Sequence, residues 1–189
     1  MRLGDVLRKE REGRGLSRHP AIPPTEMAQK LGLSEQEYIE LEAGTSPAEE
    51  WGYKLAQAAI QLGVPTSRLL AESGKSADCR LGETGPQLKK KRLEQTARAE
   101  EAASMLKLGL AEYKKRQEVQ DGLPRHRTPE EMATAMGLTA EEYAEVEAGK
   151  SPLEKVGPTL LRFAETIEQP VFNLFYPCGL SYRELEDYP

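Results

Sequence analysis

The sequence predicts an all-α protein of two tandem five-helix domains joined by a linker and a charged helix. Apolar residues recur at helical spacing, and Gly and Pro divide them into short segments. One stretch also occurs twice: EMAQKLGLSEQEYIELEAGTSP from Glu26 to Pro47 returns as EMATAMGLTAEEYAEVEAGKSP from Glu131 to Pro152. The offset (131 − 26 = 105) holds without a gap, pairing Met27 with Met132, Gly32 with Gly137, Tyr38 with Tyr143 and Gly44 with Gly149. An internal duplication of this size means two related domains, and two copies are too few for a solenoid.

The repeated stretch encodes helix, glycine turn, helix. Met27, Ala28 and Leu31 lie one helical turn apart before Gly32 interrupts them. Ser34 with Glu37 three residues on is the capping-box spacing of a new helix, and Thr139 with Glu142 rebuilds it. Tyr38, Ile39 and Leu41 supply apolar positions of that second helix, and Gly44 offers the left-handed residue that ends it. Tyr38 and Tyr143 read as core residues, with a partner-facing role as the alternative.

Before this unit, Leu3, Val6 and Leu7 form the apolar face of an opening helix. A proline-rich loop follows, and Pro24 suits the first turn of the next helix. After the unit, Ser46-Pro47 opens a helix with the stripe Trp51, Leu55, Ala56, Ala59 and Leu62. A short fifth helix ends at Leu69-Leu70. In the second copy, Leu110, Tyr113 and Val119 are assigned to the first helix and Thr128-Pro129 to the start of the second. Leu160 to Ile167 gives the fourth stripe, and Pro170 opens the fifth helix. The expected boundaries are 1–71 for the first domain and 72–107 for a mobile linker plus charged helix. The second domain is placed at 108–176 and a tail at 177–189. The charged helix, Gln87 to Leu106, reads as a solvated spacer, with a dimer-forming coiled coil as the alternative.

Composition narrows the function. With 38% hydrophobic and 30% charged residues the chain is an ordinary soluble globular sequence. It has no apolar run near the roughly 20 residues of a membrane span, and its N-terminus lacks a signal-peptide pattern. Cys79 and Cys178 lie far apart with no metal spacing, so a reducing cytoplasm fits better than a disulfide scaffold. No nucleophile–base pair or phosphate-cradling glycine loop is present. The expectation is therefore a non-enzyme with no cofactor, no metal and no membrane partner, and a homodimer is left open.

Several elements together resemble the Cro/phage-repressor helix-turn-helix family, often called XRE-like. They are Leu7-Arg8-x-x-Arg11, Met27-Ala28-x-x-Leu31-Gly32-Leu33-Ser34, Tyr38-Ile39-x-x-Glu42-x-Gly44 and Leu62-Gly63-Val64-Pro65, with Met132-Ala133, Met136-Gly137-Leu138-Thr139 and Glu147-x-Gly149 in the second copy. The resemblance implies two lambda-repressor-like domains and a DNA-binding transcriptional regulator, its third helices lying in the major groove. On that reading Glu35, Gln36, Glu40, Glu141 and Glu145 face the partner, and Arg18, His19, Lys30, Arg125, His126 and Arg127 contact phosphates of double-stranded DNA. The third helices are acidic, with no Lys or Arg from Ser34 to Ser46, and the net charge is −5. That charge fits an alternative: a non-catalytic adaptor whose acidic helix faces dock a basic or apolar protein.

Overall fold

The computed structural model describes residues 2–15 and 19–175, and every regular element among them is helical. In the first copy these are α1 (Leu3–Arg11), α2 (Pro24–Leu31), α3 (Glu35–Ala43), α4 (Ala48–Leu62) and α5 (Thr66–Leu70). A 3-10 turn (Ser76–Asp78) leads to α6 (Thr84–Met105) and α7 (Leu110–Val119). Then come α8 (Pro129–Met136), α9 (Ala140–Glu147), α10 (Leu153–Thr166) and a 3-10 turn (Val171–Leu174) in the place of a fifth helix. The anticipated tail falls outside the described residues.

The local signals act as the sequence predicts. Pro24 and Pro129 occupy the first turns of α2 and α8. Gly32 and Gly137 end those helices at φ of 70° and 69°, a region where a Cβ would be strained. Both capping boxes form, Ser34 with Glu37 and Thr139 with Glu142.

The first helix of the second copy is α6, not α7. In the first copy the N–H groups of Leu3 and Gly4 donate to the Glu49 carboxylate at 2.9 and 3.0 Å. In the second, those of Thr84 and Gly85 donate to Glu154 at 3.0 and 2.8 Å. A carboxylate at a helix N-terminus satisfies orphan donors and complements the helix dipole. At the other end Arg11 grips Glu42 and Arg92 grips Glu147. The offset is 81 for this helix (85 − 4) and 105 after it, so the second copy carries a 24-residue insertion between helices one and two. The insertion forms an arm: α6 runs on past Arg92 and α7 folds back along it around Ala99, Ala103 and Tyr113. The charged helix is therefore half core element and half arm, not a spacer. Residues 72–83 are not a free tether either, since Ser76 is buried and its N–H donates to Glu165 at 2.7 Å.

The copies are fused through one core related by an approximate internal two-fold. Helix α4 packs on α10 and α8, and α10 packs reciprocally on α2. Helix α5 lies on α6, as the Val171–Leu174 turn lies on α1. Gly52 receives the Phe175 ring and Gly157 receives Leu70, a reciprocal exchange in which Gly52 and Gly157, and Leu70 and Phe175, differ by the repeat offset of 105. Lys54 Nζ donates to the Met136 carbonyl at 3.0 Å and Arg162 Nη1 to the Leu31 carbonyl at 2.8 Å, so each copy caps the second helix of the other. Self-complementary contacts of this kind are what a two-fold dimer interface makes, here within one chain.

Candidate interaction surface

Helices α3 and α9 are set by the same few residues. The glycine turn reverses the chain, and the capping box starts the helix: Ser34 Oγ accepts from the Glu37 N–H at 3.2 Å while Glu37 accepts from the Ser34 N–H at 2.7 Å. Thr139 and Glu142 repeat both distances. Below the helix Tyr38 is fully buried and its hydroxyl donates to Glu42 at 2.7 Å. Glu42 in turn accepts from Arg11 at 2.5 and 3.2 Å. Burial and the Glu42 carboxylate push the Tyr38 hydroxyl far above its ordinary range, so it stays a donor. In the second copy Arg92 grips Glu147 in the same way, at 2.6 and 3.2 Å, and Tyr143 is likewise buried. Both tyrosines are thus core residues, and helix three is bolted to helix one from beneath.

What remains outward is acidic. Glu35, Gln36, Glu40, Glu141 and Glu145 are all exposed, and the Gln36 amide donates to Glu40 at 3.0 Å. Ile39, about half exposed, stands among them on α3. Ala140, Ala144 and Ala148 are exposed on α9. Among the described residues none of the four glutamates is in an ion pair, so their field is uncompensated at close range.

The residues expected to contact phosphates divide differently. Lys30 is exposed on α2, 3.7 Å from Glu26. His19 is half-buried, with Nδ1 2.7 Å from the Pro20 carbonyl. Arg18 lies outside the described residues. Arg127 is 7% exposed, its Nε donating to the Gln61 carbonyl at 3.1 Å and its Nη1 lying 2.6 Å from Glu118. It ties the end of α4 to the root of the arm. His126 is 8% exposed, and its backbone N–H donates to Gln117 at 2.9 Å. Arg125 turns inward to the Gln117 carbonyl at 2.5 Å. All three lie at the root of the arm and make contacts within the chain.

Other residues escaped sequence reasoning. The helix-capping glutamates Glu49 and Glu154 look like surface charges, because their partners lie 45–46 and 69–70 residues away. Glu131, whose N–H donates to Thr128 Oγ1 at 3.2 Å, also carries Lys114 and Arg127 on its carboxylate.

Several of these pairings favour the ionised carboxylate. The Ser34 backbone N–H holds the Glu37 carboxyl below its usual range, and the Arg127 guanidinium does the same for Glu118. Gln87, Lys91 and Lys90 hold Glu72 down to about 2. A native pKa below the unfolded value adds stability above the unfolded pKa and loses it as pH falls through the native one. Urea midpoints are therefore expected to stay level from about pH 8 to about pH 5 and to fall below about pH 4. A midpoint unchanged at about pH 3 would show that these pairs contribute nothing.

No helix among the described residues is long and apolar enough to cross a membrane, and no group of three or more His, Cys, Asp or Glu there could hold a metal ion. No family model, curated protein or solved structure matches the chain.

Proposed function

We propose that this chain is a non-catalytic interaction adaptor built on two repressor-like helix-turn-helix units, and that it docks a basic partner on the outward faces of α3 and α9. The observation that carries this reading is the set of exposed, unpaired carboxylates Glu35, Glu40, Glu141 and Glu145 on the helices that a repressor would place in the groove. Duplex DNA carries one negative charge per roughly 1.7 Å of axis, and such a face repels it. A glutamate can accept from cytosine only where flanking cations hold the backbone. Of the six residues expected to supply that grip, Arg125, His126 and Arg127 already make contacts within the chain. Ile39, exposed on the same helix as Glu35 and Glu40, offers an apolar anchor beside charged residues, as in a docking patch.

A second reading, a DNA-binding transcriptional regulator, is favoured by one observation. The internal two-fold makes a single chain the counterpart of a repressor dimer, whose symmetry matches paired half-sites.

Titrating a labelled basic amphipathic peptide and a labelled random-sequence duplex, each at low and physiological salt, separates the two. The adaptor reading expects salt-sensitive peptide binding that a Glu35→Lys/Glu40→Lys/Glu141→Lys/Glu145→Lys variant loses, with no duplex binding at physiological salt. Wild-type binding to the duplex alone, steeply weakened by salt, would overturn it in favour of the regulator.

A further inference from the structure

Among the described residues, the arm of α6 and α7 in the second copy has no counterpart in the first. Beyond Arg92, α6 continues for 13 residues, about 20 Å at 1.5 Å per residue. The arm's own core is small: Ala99, Ala103 and Tyr113, with Ala102, Leu108 and Leu123 partly buried beside them. Its tip is apolar and uncovered. Met105 is 78% exposed, and Leu106 and Leu110 are about half exposed on either side of the turn. A single exposed leucine is ordinary, but three large apolar side chains gathered at one projecting end mark a contact site.

We propose that the arm tip pairs with the arm tip of a second copy of this chain, giving a dimer of internally two-fold chains. Charge identifies the occupant. The chain as a whole has net charge −5, yet the exposed charges of the arm are mixed and nearly balanced, Arg98, Lys107, Lys115 and Arg116 against Glu100, Glu101, Glu112, Glu118 and Asp121. An acidic or basic partner would be matched by an excess of one sign, whereas a two-fold contact brings a surface against itself and requires both signs. Each chain carries one arm, so two arms meeting on a two-fold close the assembly and leave no tip unpaired. Three apolar side chains per partner place the contact at the small end of interface sizes, so the dimer is weak and concentration-dependent. The inference does not depend on what binds α3 and α9.

The test is sedimentation velocity of the full chain from about 10 μM to about 500 μM, a range that brackets weak association. The wild type is expected to move from the 21.0 kDa monomer toward twice that mass. A Met105→Glu/Leu110→Glu variant with unchanged circular dichroism is expected to stay at 21.0 kDa. A Leu110→Cys variant, oxidised at high concentration, is expected to yield a covalent dimer well above the wild-type background from Cys79 and Cys178. A wild type that stays monomeric throughout, a double variant that dimerises like the wild type, or a cysteine variant with no excess of dimer would each overturn the proposal.

Discussion

Replacing Glu42 by alanine is expected to destabilise the protein by about 3–5 kcal/mol, because it leaves the Arg11 guanidinium buried without its partner. Arg11 is only 7% exposed. Two of its donors are committed to Glu42, and a third meets the Ile22 carbonyl at 3.0 Å. The Tyr38 hydroxyl also loses its acceptor, which adds an unsatisfied buried donor. Glu147→Ala should cost a similar amount through Arg92, and Glu42→Gln less, since the amide oxygen still accepts. The pair itself is a weak stabiliser relative to an apolar replacement, so Arg11→Met/Glu42→Leu is expected to recover most of the loss. Urea unfolding of the four variants decides it. A Glu42→Ala cost within about 1 kcal/mol, the range of an exposed pair, would place the cluster at the surface energetically.

Gly85→Ala is the second large effect, and its sign is informative. In the second position of α6, alanine would ordinarily favour the helix by up to about 1 kcal/mol. Here a Cβ would overlap the carbonyl oxygen of Val146 and come 2.9 Å from the Gly149 nitrogen, both backbone atoms that cannot turn aside. Helices one and three touch at this point, backbone to backbone, and Gly4 meets the Glu42 carbonyl in the same way. The expected cost is about 3 kcal/mol or more for either Gly→Ala change, since α9 must move off α6. Gly109→Ala is the control, as a Cβ there meets nothing within 4 Å. If Gly85→Ala proved as stable as the wild type, α6 would not be the first helix of the second copy, and α7 would regain that role.

The assignment of α6 was legible in part. Gly4, Leu7 and Arg11 recur as Gly85, Leu88 and Arg92 with identical spacing, and the match hides within a lysine run that looks solvated. Composition misleads there because only one stripe of the helix, Leu88 and Arg92 among its residues, is buried, while Lys89 and Lys90 stay in water. After α7, Gly122-Leu123 echoes Gly15-Leu16 after α1, a similarity of turn chemistry that carries no tertiary information.

By itself the sequence determined whatever depends on neighbours within a few residues. The helix starts at Ser34, Thr128 and Thr139, the left-handed stops at Gly32, Gly44 and Gly137, and the outward acidic faces of α3 and α9 all follow from capping, backbone conformation and 3.6-residue periodicity. Only the tertiary structure decided which helix served the second copy and that both copies share one core. It also decided that Arg127 would bind the Gln61 carbonyl and the Glu118 carboxylate. Those outcomes rest on partners tens of residues apart, and a charged side chain looks the same in sequence whether its partner is water, a ligand or a buried carboxylate.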